Sequence, residues 1–440
     1  MTTIPGNATT TTGGNPATRI AARLVRDTLD VPAIGDVAGA AREALAPVLA
    51  RAGLHAHARV AVTAGSRGVA RIDAILRGAC EAVRDAGATP FLVAAMGSHG
   101  GGTADGQTAM LAHLGVAERT VGAPIESAMD VVEVGTTPAH GIAVACDARA
   151  AGADAIVVVG RVKPHTDFTG TIESGLLKMI TIGLGKAVGA ARYHAAFARF
   201  GYEPIIREVG GFMLERLPIV AGLGIVEDNR GGTHAIEAFP PDALVAGEER
   251  LLRRARELMP KLPFAELDLL IVDRMGKNFS GSGMDTNVTG RAVDGRSQKV
   301  PEPVVDQLYV RELSPESDGN ATGIGLADFC TRRLAGAIDW GATYLNALTA
   351  AHPAAARLPI VCDNDRDAIR HALNAAGVQD AAHARVARIR DTLHIETFAA
   401  SDAALAEMRG GGERYEVGEP TDALALHGDE LAPYPGGVLA

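Results

Sequence analysis

The chain has 440 residues, a formal net charge of −10 and no block of Lys and Arg, which sets aside nucleic acid and anionic membranes as partners. Hydrophobic residues at 47% and charged residues at 21% suit a soluble globular protein, and no apolar run reaches the ~20 residues of a bilayer crossing. Aromatics are scarce at 4% and glycines number 52, a mix that suits α/β layers joined by Gly-rich turns. The four cysteines, Cys80, Cys146, Cys330 and Cys362, form no CxxC pair, so they read as reduced, mostly buried thiols of a cytoplasmic protein.

Residues 1–18, rich in Thr, Gly, Asn and Pro and lacking the apolar core of a secretory signal, read as a disordered leader. Residues 37–52 then predict an amphipathic helix, 59–63 a strand, 64–68 its turn, and 72–86 a helix stopped by Gly87. Residues 90–96 predict a second strand, 97–102 a Gly-rich turn, and 104–114 a helix. The recurrence of strand, Gly-rich turn and helix predicts a parallel sheet. Residues 154–159, Asp-Ala-Ile-Val-Val-Val, read as a buried parallel strand, and 218–226 as another. A charged helix over 248–259 ends at Pro260. A second α/β unit opens with a strand over 267–272, followed by a mostly helical 328–350, a strand over 358–362, a helix over 367–376, and one or two strands in 386–395.

The stretch Gly160-Arg-Val-Lys-Pro-His-Thr-Asp-Phe-Thr-Gly-Thr-Ile-Glu-Ser-Gly-Leu-Leu-Lys178 gathers His165, Asp167, Glu173 and Lys178 past a strand's carboxyl end, where open α/β sheets bind ligands. His194 follows. Gly97-Ser-His-Gly-Gly-Gly places His99 in a turn whose backbone N–H groups suit an anion. Gly65-Ser-Arg-Gly places Arg67 in a similar turn, where a guanidinium can grip a carboxylate. Gly276-Lys-Asn-Phe-Ser-Gly-Ser-Gly places Lys277 in a loop after the second unit's first strand. Ile182-Gly-Leu-Gly-Lys186 fails the GxxxxGK[ST] spacing, because residue 180 is Ile, and it fails GxGxxG because residue 188 is Val.

Together, Gly97-Ser-His99, Pro164-His165, Lys178 and His194 resemble the nickel-pincer-dependent lactate racemase family, as a divergent branch. The resemblance implies a pyridinium mononucleotide that carries nickel between two sulfur-bearing arms, a nickel-pincer nucleotide, tethered at Lys178. It further implies His194 as the nickel ligand, His99 and His165 as the acid/base pair, and Arg67 as the holder of the substrate carboxylate. Lys277 is assigned to the carboxylate by loop position. Two features depart from the prototype. Ala64 stands where it has an Asp, and the stretch between His165 and Lys178 is longer, which points to Asp167 and Glu173 for substrate choice.

The expected fold is two α/β domains with mainly parallel, Rossmann-like sheets and an active-site cleft between them. Residues 19–265 form the cofactor-binding and catalytic domain, and 266–440 the domain that closes the cleft. The expected activity is an isomerase, a racemase or epimerase of a small-molecule 2-hydroxy acid, in a chain compatible with a homo-oligomer. Two other readings stand beside it: a metal-dependent hydrolase or lyase using the His cluster, and a non-catalytic binding protein for a phosphorylated small molecule.

Overall fold

A computed structural model describes residues 20–66, 68–292, 302–349, 352–410 and 412–434. The leader at 1–18 lies outside them. The chain divides into two compact α/β units, one comprising Leu29–Lys261 and the other built from residues 20–28 and the chain beyond Leu262.

In the first unit six strands lie in the order Ile125–Glu126, Thr89–Ala94, Arg59–Ala64, Ala155–Arg161, Ile219–Glu227, Thr233–Phe239. All neighbours are parallel except the last pair. The middle strand Ala155–Arg161 is buried along nearly its whole length, as its unbroken apolar run requires. Side-chain alternation divides the sheet between two cores. Ala61, Phe91, Val93, Ile156 and Val158 face one. Val60, Val62, Leu92, Val157 and Val159 face the other. The helix Ile72–Asp85 covers the second face with Ile72, Ile75, Leu76, Ala79 and Val83, spaced as one helical stripe. The helix Val37–Ala52 starts where the Asp36 carboxylate accepts the Gly39 N–H at 2.9 Å.

This strand order fixes where chemistry can occur. From Arg59–Ala64 the chain runs outward to Thr89–Ala94 and Ile125–Glu126, then returns to place Ala155–Arg161 on the other side of Arg59–Ala64. The order reverses between those two strands, and a crevice opens beyond their carboxyl ends at such a switch point.

The second unit carries an eight-stranded sheet. Five neighbouring strands, Ile360–Cys362, Phe329–Thr331, Val304–Leu313, Glu266–Met275 and Val386–Ile389, are parallel. Thr397–Ser401, Ala22–Asp27 and Tyr415–Thr421 extend it antiparallel. Two details differ from the sequence reading. Residues 20–28 belong with this unit rather than with the first, because Ala22–Asp27 pairs with strands more than 370 positions away, a contact that leaves no local signal. The 328–350 segment opens with the strand Phe329–Thr331 before its helices. Of the one or two strands expected in 386–395, one is present, Val386–Ile389. A buried ion network binds the tail to this sheet. Arg388, fully buried, donates to both Asp273 oxygens at 2.9 Å and to the carbonyls of Ala423 and Ala432.

The Arg414 guanidinium grips buried Asp27 through both carboxylate oxygens, at 3.0 and 2.7 Å, and so fixes the first strand against Tyr415–Thr421. Arg414→Met should lower the stability of this unit by about 3 kcal/mol, since it takes a bidentate guanidinium from a buried carboxylate. Urea unfolding checks this, and an unchanged midpoint would remove the pair from the account.

Candidate active site

Three turns leave the carboxyl ends of three adjacent strands. Ser66 follows Arg59–Ala64, His99 follows Thr89–Ala94, and His165 follows Ala155–Arg161. Ser66 Oγ meets His99 Nδ1 in a short hydrogen bond. Gly97 opens the His99 turn at φ +59, a left-handed conformation natural to glycine, and its N–H donates to the Gly183 carbonyl at 3.3 Å. Arg67 lies outside the described residues.

His165 is in direct contact with Lys178, Nε2 against Nζ. Its other nitrogen, Nδ1, accepts the Asp167 N–H at 3.0 Å. These partners assign the protons. A ring nitrogen that accepts carries no hydrogen, so the hydrogen of His165 is on Nε2 and points at Lys178. In that tautomer the ring can donate to Lys178 only where the lysine is a neutral amine.

Two buried carboxylates hold this pair. Glu173, 1% exposed, accepts the backbone N–H groups of His165 and Gly170 and is gripped by Arg256. It was expected to face the substrate, but it is instead an interior brace for the His165 loop. Asp167 contributes its N–H to the ring, and its carboxylate stands 3.8 Å from Nδ1. Glu248, fully buried, accepts the Leu177 N–H at 2.8 Å, one residue before Lys178. Among the described residues its second oxygen has no hydrogen-bond partner. Burial pushes this carboxyl up to about 7.

Beyond Lys178 the backbone widens into one π turn, Met179–Gly183, and then runs on as the helix Leu184–Phe200, which carries His194. His194 Nδ1 donates to the Ala190 carbonyl at 2.6 Å, which in the neutral ring puts the lone pair on Nε2. An aromatic chain links the two histidines. The His165 ring lies 4.6 Å from Phe168, Phe168 stacks on Tyr202 at 4.8 Å, Tyr202 lies 4.9 Å from Phe197, and Phe197 meets His194 at 5.3 Å.

Lys277 belongs to the other unit, where its Nζ donates to the Gly281 carbonyl and its N–H to Ser317 Oγ at 2.9 Å. Among the described residues no three His, Cys, Asp or Glu side chains group to hold a metal ion, so His99, His165 and His194 do not form a three-ligand centre. All four cysteines are free and buried. Burial pushes Cys80, Cys146 and Cys330 up to about 12, which removes thiolate chemistry near neutral pH. No described helix is long and apolar enough to cross a membrane.

No family model matches the chain, and no curated protein does. Among solved structures it is similar to the lactate racemase apoprotein from Thermoanaerobacterium thermosaccharolyticum, with 12% identity over 78% of this chain and 98% of that one, at a TM-score of 0.44. A likeness that distant bears on neither activity nor residue roles.

Glu248 predicts a pH dependence. Its folded value lies above the ordinary 4.5, so between about pH 4.5 and 7 the folded chain binds more protons than the unfolded one. Stability should therefore fall as pH rises through that window, by on the order of 3 kcal/mol. Glu248→Gln should remove this component in urea midpoints taken across the window, and an unchanged slope would contradict the assignment. A Cβ on Gly175 would stand 2.0 Å from the Glu248 carboxylate. Gly175→Ala should cost about 1–3 kcal/mol and speed hydrogen exchange at Leu177; wild-type exchange there would show that the carboxylate can yield.

Proposed function

We propose that this chain is an isomerase, a racemase or epimerase of a 2-hydroxy acid that works through a nickel-pincer nucleotide tethered at Lys178. One observation carries the reading: the Lys178 amine is in direct contact with His165 Nε2, at the switch point of the sheet. An acyl tether needs a neutral amine, and nickel held mainly by a nucleotide needs one imidazole from the chain rather than a three-ligand cluster. Lys178 and the Nε2 lone pair of His194 fit those two requirements.

When bound, the group would supply the acceptor and donor of the hydride exchanged at C2. The chain's own residues handle the proton and the position. A carbanion beside a carboxylate is poorly stabilised, so the hydroxyl proton leaves with the hydride and a planar 2-keto acid results. The histidine facing the hydroxyl takes its proton, and after the keto acid reorients the other histidine returns one. His99 and His165 are given these roles. In this tautomer the only lone pair of His165, on Nδ1, is held by the Asp167 N–H, so that contact opens when the ring takes a proton. Arg67 is assigned to hold the carboxylate while the keto acid turns.

Mass spectrometry of protein co-expressed with the cofactor-making enzymes tests this. The expected result is a nucleotide adduct on Lys178, absent in Lys178→Ala, together with inversion at C2 of a 2-hydroxy acid. A well-loaded preparation without an adduct would sink the reading. In loaded protein, His99→Ala and His165→Ala should each lower turnover by about 10²–10⁴ while the adduct persists. His194→Ala should lose nickel.

A further inference from the structure

Lys186 stands at a kink within Leu184–Phe200, at φ +54 and ψ −161, a backbone region left almost entirely to glycine. Its side chain is fully buried. The ammonium donates to the Ala94 carbonyl at 2.8 Å and to Gln107 Oε1 at 2.7 Å, and lies 3.4 Å from a carboxylate oxygen of buried Asp147. Burial draws its proton affinity down, and Asp147 opposes that. Gln107, also fully buried, turns its amide nitrogen to the carbonyls of Gly97 at 3.0 Å and His99 at 3.3 Å.

Ala94 ends the strand that leads into the His99 turn, and Gln107 clasps the turn itself. Lys186 sits eight positions after Lys178 and eight before His194 on one continuous backbone. We propose that Lys186, acting through Gln107, is a positioning residue that locks the His99 turn to the helical segment bearing Lys178 and His194. It touches no substrate. The strained backbone is explained on this account. Glycine would relax the dihedral angles but would remove the ammonium that joins strand end, turn and helix. Asp147 answers the buried charge, and its other oxygen caps the Arg149 and Ala150 N–H groups at 2.9 and 3.0 Å, so the carboxylate is itself fixed. The inference rests on the reading of His99 as a proton-transfer residue, and its test separates the two.

The test uses ¹⁵N-histidine NMR of the full cofactor-free chain. Gln107→Glu keeps an acceptor for Lys186 but deletes both donors to the turn. Gln107→Leu cuts both sides, and Lys186→Met with Asp147→Asn removes the charge pair together. In each folded variant the His99 ring nitrogens should move toward tautomer-averaged shifts, while those of His194 stay in place. Unchanged His99 nitrogens in either folded Gln107 variant would overturn the proposal. In loaded enzyme, with lactate as the probe acid, Gln107→Glu should lower kcat by about 10²-fold and change KM by less than about threefold. A loss confined to KM would also overturn it. If no adduct forms on Lys178, the racemase reading falls, yet the ring-nitrogen result still decides the role of Lys186.

Discussion

The chemistry of the first unit depends on two carboxylates that never reach solvent. Glu173 and Glu248 accept backbone N–H groups on either side of one stretch, Glu173 at His165 and Gly170, Glu248 at Leu177. Loop and helix start would otherwise leave those donors buried and unpaired. With both ends held, the His165 ring and the Lys178 amine meet at fixed registry. The burial that makes Glu248 unwilling to ionise is what lets the sheet, the helix Leu244–Leu258 and the Lys178 segment close on each other.

Hydrogen bonding favours the neutral form of the Lys178 amine. A lysine usually remains an ammonium well above neutral pH. Here an imidazole N–H is aimed at it, because the opposite ring nitrogen is committed to the Asp167 N–H. The same logic fixes His194, whose Nδ1 hydrogen is committed to the Ala190 carbonyl. In both rings a backbone group chooses the tautomer, and the tautomer chooses the chemistry.

Much of this was legible in the sequence. Val157–Val159 in an unbroken apolar run announced a central parallel strand, and the Gly-rich turns after three strands announced a shared edge. The grouping of His165 with Lys178 followed from the strand end before them. What stayed hidden is what depends on direction of side chains and on distant pairing. Glu173 read as a pocket group because a polar insertion gives no sign of which carboxylate turns inward. Lys186 was set aside along with a failed phosphate-loop pattern, although Ile182-Gly-Leu-Gly-Lys186 marks a backbone under constraint. Ser66, Gln107, Asp147 and Glu248 carry no spacing signal, since their partners lie on other elements. The strand Ala22–Asp27 had no local cue to its partners near residues 400 and 420.

The central proposal is that Lys178, in contact with His165, is a neutral amine open to acylation. Competitive acylation of the cofactor-free chain at pH 7, read residue by residue by mass spectrometry, tests it most directly. The account predicts that half-buried Lys178 is modified ahead of exposed Lys261, and that His165→Phe abolishes the advantage. Lys178 labelling no faster than Lys261 in the wild type, or equally fast in His165→Phe, would contradict it.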